Sequence, residues 1–252
     1  MLFGGFMDIT NLLLAGGIVF LGSFFATISG FGFALVATPL LAMLMPLKWV
    51  IMFLLVLTIV LRSVTMFRVW GQFEWSTVLI TSLGCFIGMI PGSILLRRIS
   101  VSSLQIFLGV VLLIATLLMS LQYTVKIKNK TYGRLGAGVL SGFFGACTSV
   151  GGPPLALYFL NENTEKTLMR ANMIWIFGVT SFLSLFVNYF VGNIAAVSDW
   201  SYIYAMIPAT LAGILAGERL VYRLNQHLFR RLSLMIVLVG AVMMLFNGLR
   251  GL

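Results

Sequence analysis

Long apolar stretches alternate along the chain with short clusters of charged and turn-forming residues. The apolar runs fall at about 9–45, 49–70, 75–96, 102–122, 133–160, 168–191, 199–220 and 229–249. Each is expected to be helical, because a segment surrounded by lipid must satisfy its own backbone hydrogen bonds. Two of these eight hydrophobic segments are anomalous. The first covers 37 residues, or ~55 Å at 1.5 Å per residue, far more than the ~30 Å hydrocarbon core of a bilayer. It is interrupted by Ser29-Gly30-Phe31-Gly32-Phe33 and then by Pro39. The fifth run is interrupted between Gly145 and Pro154, where Gly151 and Gly152 permit unwinding and Pro153 and Pro154 suit the first turn of a new helix. Both runs are predicted to be two half-helices joined by an unwound turn at membrane depth.

The two anomalies recur as parts of an internal repeat. Phe24, Phe25 and Gly32 return as Phe143, Phe144 and Gly151 at an offset of 119. Trp75 returns as Trp200, and Gly88, Gly92, Leu95 and Arg98 return as Gly213, Gly217, Leu220 and Arg223, at an offset of 125. The polar stretch Asn161–Lys166 is taken as the six-residue insert that separates the two offsets. Two membrane repeats follow, residues 1–125 and 126–252, within one integral membrane domain.

If each broken run crosses the bilayer once, the repeats are parallel; if each is a re-entrant hairpin, they are inverted. In the hairpin arrangement eleven bases share one side: Arg68, Lys126, Lys128, Lys130, Arg134, Lys166, Arg170, Arg219, Arg223, Arg230 and Arg231. Four, Lys48, Arg97, Arg98 and Arg250, share the other, and Arg62 stays inside a span. Single crossings give nine against six. Because cytoplasmic loops collect Lys and Arg, the count favours inverted repeats with the 122–134 connection in the cytoplasm. The expected fold is an all-α polytopic membrane protein, each repeat a broken re-entrant hairpin plus three transmembrane helices.

Composition agrees with this pattern: 60% of the 252 residues are hydrophobic and 9% charged, too few to coat a soluble globule. The net charge of +10 would suggest nucleic acid in a soluble protein, but here the bases sit in short loops between spans, so no nucleic-acid partner is expected. Cys85 and Cys147 lie in apolar, Gly-rich segments and read as buried inert thiols. His227 has no metal-ligating partner at useful spacing, so neither a metal nor another cofactor is predicted. The N-terminal eight residues lack the basic start of a signal peptide and are read as retained.

Two broken helices, one per half, form the general plan of a secondary transporter, and the start of a half-helix favours an anion. In the second turn Thr148 and Ser149 offer hydroxyls and Gly151 and Gly152 offer backbone N–H groups, while Pro153 sets the helix start. Ser29, Gly30 and Gly32 are the parallel set in the first turn, with Phe31 and Phe33 as apolar walls. Close helix packing is the plainer account of these glycines, but it does not explain two over-long runs. Arg62 shares a helical stripe with Thr58 and Thr65, and Asn188, at an offset of 126, shares one with Ser181 and Ser184. The two stripes would line a path in which Arg62 attracts an anion, unless Arg62 instead snorkels toward Arg68. No Asp or Glu lies in the middle of any run, which disfavours coupling to protons or sodium through a buried carboxylate.

The motifs resemble the sulfite exporter TauE/SafE family over nearly the whole chain. Ser29-Gly-Phe-Gly-Phe-Ala-Leu-Val-Ala-Thr-Pro39-Leu40 looks like the family's first-half motif, and Gly145-x5-Gly151-Gly-Pro-Pro154-Leu-x-Leu-Tyr158 like its second-half motif. Arg170-Ala171-Asn172 also looks like a family position. The resemblance implies a multi-pass inner-membrane transporter exporting sulfite, sulfoacetate or related organosulfonates. The alternatives are a transporter of another small anion such as a carboxylate, or a non-transporting membrane scaffold. An enzyme is not expected, since no span carries an acid, base and nucleophile set. A small anion and the bilayer are the expected partners, with homo-oligomerisation left open.

Overall fold

The computed structural model describes residues 9–121, 129–162, 164–193, 200–220 and 226–250. Ten helices follow in order: α1 (Ile9–Ser29), α2 (Phe33–Leu41), α3 (Leu47–Arg68), α4 (Trp75–Arg98), α5 (Val101–Leu121), α6 (Lys130–Thr148), α7 (Gly152–Asn161), α8 (Lys166–Val191), α9 (Trp200–Leu220) and α10 (Gln226–Arg250). Eight apolar runs become ten helices because the first and fifth each divide in two. Among the described residues, α1, α3, α4, α5, α8 and α9 contain stretches long and apolar enough to cross a bilayer. This set includes α1, which keeps 21 uninterrupted residues before its break, and leaves out α10.

The breaks come from specific residues. Gly30 and Gly32 adopt φ of +81° and +105°, a left-handed conformation that residues with a Cβ resist. Ser29 Oγ donates to the Phe25 carbonyl at 2.8 Å and accepts from the Phe31 N–H at 3.3 Å, closing the turn. In the fifth run α6 starts on Asn129, whose side chain accepts from Thr131 N at 2.9 Å, and ends on Ser149 at φ 61°. Pro153 and Pro154 then occupy the first turn of α7, where a missing N–H costs least.

Each short helix folds back on the long one before it. A Cβ placed on Gly22 of α1 would lie 3.0 Å from the Phe33 ring and 3.3 Å from Ala37 Cβ, both on α2. On the other pair, the Tyr158 hydroxyl of α7 donates to the Lys130 carbonyl at the start of α6 at 3.3 Å, and Lys130 Nζ meets Glu162 at 3.3 Å.

The long helices meet through glycine. Gly84, Gly88 and Gly92 of α4 face the carbonyls of Leu135, Val139 and Phe143 on α6, and Gly138 and Gly142 face back onto Thr81 and Cys85. Gly213 and Gly217 of α9 face the carbonyls of Phe20 and Phe24 on α1 in the same way. In lipid, such backbone approach replaces the hydrophobic drive as the source of helix association. Gly109 and Gly248 make the α5 and α10 contact, against Leu245 and Ile106 respectively, and Gly178 of α8 receives Met66 of α3. One apolar core joins α1, α2, α3, α5, α9 and α10, with Leu96 of α4 and Cys147 of α6, and a second joins α4, α6, α7 and α8. Cys85 and Cys147 are buried and unbridged.

The two ends of the bundle differ. At one end Trp49 stacks on Phe53 and meets Tyr202 edge-on, and the Tyr202 hydroxyl donates to the Asn11 carbonyl at 3.3 Å. The other end carries the ion pairs Arg68–Glu218, Arg134–Glu74 and Lys130–Glu162, at 3.5, 3.5 and 3.3 Å.

The helix starts also relocate the extra six residues of the second half. Leu47 of α3 and Lys166 of α8 still differ by 119, whereas Trp75 and Trp200 differ by 125. The added length therefore lies beyond the start of α8, not in Asn161–Lys166. Arg62 lies 15 residues after the first residue of α3, and the residue at the same distance into α8 is Ser181, not Asn188.

Candidate functional site

The second broken turn opens onto a cavity of about 80 Å³ between α3, α4, α6 and α8. Ser149 and Gly151 supply the turn, Thr58 comes from α3, Ser141 from α6, and Thr180, Ser181 and Ser184 from α8. Leu55, Met89 and Phe177 form its apolar wall. The polar residues arrive from three helices because each helix keeps its hydroxyls at spacings of three or four, on the face turned inward.

Five of the cavity's hydroxyls commit their protons to backbone carbonyls, while Ser184 Oγ accepts from Asn188 Nδ2 at 3.2 Å. Ser149 Oγ donates to Ile51 O at 3.1 Å, tying the turn to α3, and Ser141 Oγ donates to Gly151 O at 2.7 Å. Thr58 and Thr180 donate to Leu54 O and Ile176 O, each at 2.7 Å, and Ser181 donates to Phe177 O at 2.6 Å. These donors reach an anion only by rotating away from their carbonyls. What lines the cavity without such a change is Ser184 and the backbone at Gly151, the residue just before α7.

The sequence-predicted residues divide into four groups. Ser149 and Gly151 line the cavity, whereas Thr148 turns back, donating to Phe144 O at 2.6 Å and accepting from Val150 N at 3.2 Å. Gly152 packs against the Phe31 ring, where a Cβ would come within 2.7 Å, so the two broken turns touch there. Pro153 is in the first turn of α7 and outside the cavity wall.

Ser29, Gly30, Gly32 and Phe33 belong to the first turn and do not line the cavity. That turn is held by Arg170, whose Nε donates to Thr27 O at 2.8 Å and whose backbone lies against Gly30.

Arg62 is 2% exposed and does not snorkel. Its guanidinium carbon stands 5.6 Å from the centre of the Phe177 ring, and Phe177, but not Arg62, lines the cavity.

Asn172 and Asn188 have structural partners. Asn172 Oδ1 accepts from Glu74 N at 2.9 Å at the start of α4. Asn188 Nδ2 donates to Ser184 O at 2.8 Å, and its Oδ1 accepts from Asn193 Nδ2 at 2.7 Å.

Ser141 and Thr180 were missed by sequence reasoning. Ser141 precedes Gly145 and Ser149 at steps of four, the spacing of one helix face, and that is the signal that marks it.

Among the described residues no cluster of His, Cys, Asp or Glu could hold a metal ion.

Similarity to known proteins agrees with this membrane architecture. A probable sulfite/organosulfonate exporter TauE from Cupriavidus necator is 25% identical over 236 residues, covering 89% of this chain and 90% of that protein. No solved structure matches the chain. Residues 14–244 match the family described as sulfite exporter TauE/SafE. The match takes in both broken turns, the cavity between α3, α4, α6 and α8, and all but the outer ends of the bundle. The chain belongs to the sulfite exporter TauE/SafE family of multi-pass membrane transporters.

Proposed function

We propose that the protein exports small sulfur-containing anions, sulfite foremost, across the inner membrane through the cavity at the second broken turn. The observation that carries this reading is the cavity itself: it is ringed by hydroxyls, abuts the start of α7, and has no carboxylate among its lining residues. An acid there would repel an anion. About 80 Å³ suits a four-heavy-atom oxoanion, since a water needs about 10–15 Å³ on the same measure. Sulfoacetate is longer and requires the cavity to open further. The name of the relative from Cupriavidus necator, a sulfite/organosulfonate exporter, supports the same substrate class.

The path is built from two inverted halves, α1–α5 and α6–α10, each a hairpin followed by three crossings. Several contacts support this arrangement. α2 and α7 double back on α1 and α6, and α6 starts beside Glu74 and Glu162 while α1 starts beside Tyr202. The end carrying Arg68, Lys130 and Arg134 is cytoplasmic by its excess of positive charge, which places the 122–134 connection there; residues 122–128 lie outside the described residues. Ser149, Gly151, Thr58, Ser181 and Ser184 meet the substrate, and Gly152 and Phe31 hold the two turns together.

Export requires no coupling ion. With the interior negative, a divalent anion gains ~4.6 kcal/mol per 100 mV, enough for more than a thousandfold gradient. Proteoliposomes loaded with sulfite test the reading. Wild type is expected to release sulfite faster as the lumen is made more negative, and Ser181→Val to release it at least fivefold more slowly. Release equal to that of protein-free liposomes at matched lipid overturns the assignment.

A further inference from the structure

Arg62 presents a physical problem that the cavity does not solve. It is 98% buried, since only 2% is exposed, yet its Nε and Nη1 have no hydrogen-bond partner among the described residues. Arginine does not give up its proton in proteins, so the charge stays and needs an opposite charge or several acceptors nearby. The described carboxylates are elsewhere. Glu74, Glu162 and Glu218 pair with Arg134, Lys130 and Arg68, and Glu165 stands at the start of α8. Arg170, on α8, the helix packed against α3, is a like charge. The packed pair α3 and α8 thus carries two cations, Arg62 buried on α3 and Arg170 on α8 at the first broken turn.

We propose that Arg62 forms a second anion station, separate from the hydroxyl-lined cavity and divided from it by the Phe177 ring. This deepens the export reading and rests on it. Phe177 lines the cavity on one face and lies 5.6 Å from the Arg62 guanidinium carbon. Rotation of that one ring connects the two places. Arg62 also occupies the position in α3 that Ser181 occupies in α8, counted from the helix starts, and Ser181 lines the cavity. The same spot in the two halves therefore carries a neutral hydroxyl in one and a fixed cation in the other. The ligand is a small oxoanion of the class the cavity accepts, its oxygens taking the free Nε and Nη1 donors in the forked geometry that guanidinium provides.

The test is sulfite binding to the purified full-length protein, followed by calorimetry and by thermal unfolding. Wild type is expected to bind two sulfites per chain and Arg62→Gln one. Arg62→Gln is also expected to unfold at a higher temperature than wild type without sulfite, because it removes an uncompensated buried charge, and to lose more than half of the sulfite-induced rise. A purely structural arginine predicts the reverse on both readouts. One sulfite per chain in wild type, with Arg62→Gln keeping that stoichiometry and the full rise, overturns the station and leaves the cavity site standing. No sulfite binding by wild type overturns both. Should Arg62→Gln not fold, Arg62→Lys decides: a second step weakened tenfold or more supports the station, and an unchanged second step overturns it.

Discussion

Ser149 is the one non-glycine residue with a left-handed backbone among the described residues, at φ 61°, and its hydroxyl reaches Ile51 O at 3.1 Å. The conformation costs roughly 1–2 kcal/mol for a residue with a Cβ, and the hydrogen bond returns about 1 kcal/mol. Ser149→Gly removes both terms and is expected to change stability by less than about 1 kcal/mol, whereas Ser149→Ala keeps the strain, loses the bond and costs about 1 kcal/mol. Thermal unfolding in detergent separates the two. Gly30 is less forgiving, because a Cβ there would lie 2.9 Å from the Arg170 carbonyl in addition to the strain of φ +81°. At this scale the breaks were legible in the sequence: Ser29, Gly30, Gly32, Ser149 and Gly151 do form the two turns, since glycine and proline mark breaks through local sterics, but of these five only Ser149 and Gly151 line the cavity. Asn172 and Asn188 were not legible. An asparagine's type says that it will hydrogen-bond but not with what, and Asn172 finds its partner 98 residues away.

At the scale of elements, the glycine faces of α4 and α6 determine how near the two helices come. A Cβ on Gly142 would collide with the backbone of Cys85, which cannot rotate aside as a side chain can. Gly142→Ala is therefore expected to cost about 1–3 kcal/mol or more, while Gly136→Ala on the same helix, with nothing within 4 Å of the new methyl, should be silent. Fluorescence-detected size exclusion after heating compares the two. Gly213 of α9 faces the Phe20 carbonyl in the same manner, so Gly213→Ala should behave like Gly142→Ala. The repeat in the sequence pointed to these faces through the shared Gly-x-x-x-Gly spacing. It misplaced the extra six residues, because a polar cluster such as Asn161–Lys166 looks like an insert whether or not it is one. In the structure α8 is the longer helix, with 26 residues against 22 in α3.

At the scale of the whole molecule, the arrangement of hairpins and crossings makes a claim about sides. Thr131, at the start of α6, and Ser100, before α5, are both exposed and stand at opposite ends of the bundle. In intact cells an impermeant thiol reagent is expected to label Ser100→Cys and to spare Thr131→Cys, with the reverse in inside-out vesicles. Labelling of Thr131→Cys and sparing of Ser100→Cys in intact cells would contradict the inverted arrangement and its orientation. The overall helical fold was legible from hydrophobic run lengths alone, because lipid leaves the backbone few alternatives. The side-by-side pairing of α4 with α6 and of α1 with α9 was not, since it depends on backbones meeting across the halves.

Both cysteines are buried and neither is bridged. Sulfite is a nucleophile that splits disulfides, leaving one sulfur as a thiolate and the other as an S-sulfonate. A protein that passes sulfite through its interior is exposed to that reaction at every turnover. With Cys85 and Cys147 held as free thiols inside the helix packing, this chain offers its proposed cargo no sulfur–sulfur bond to attack.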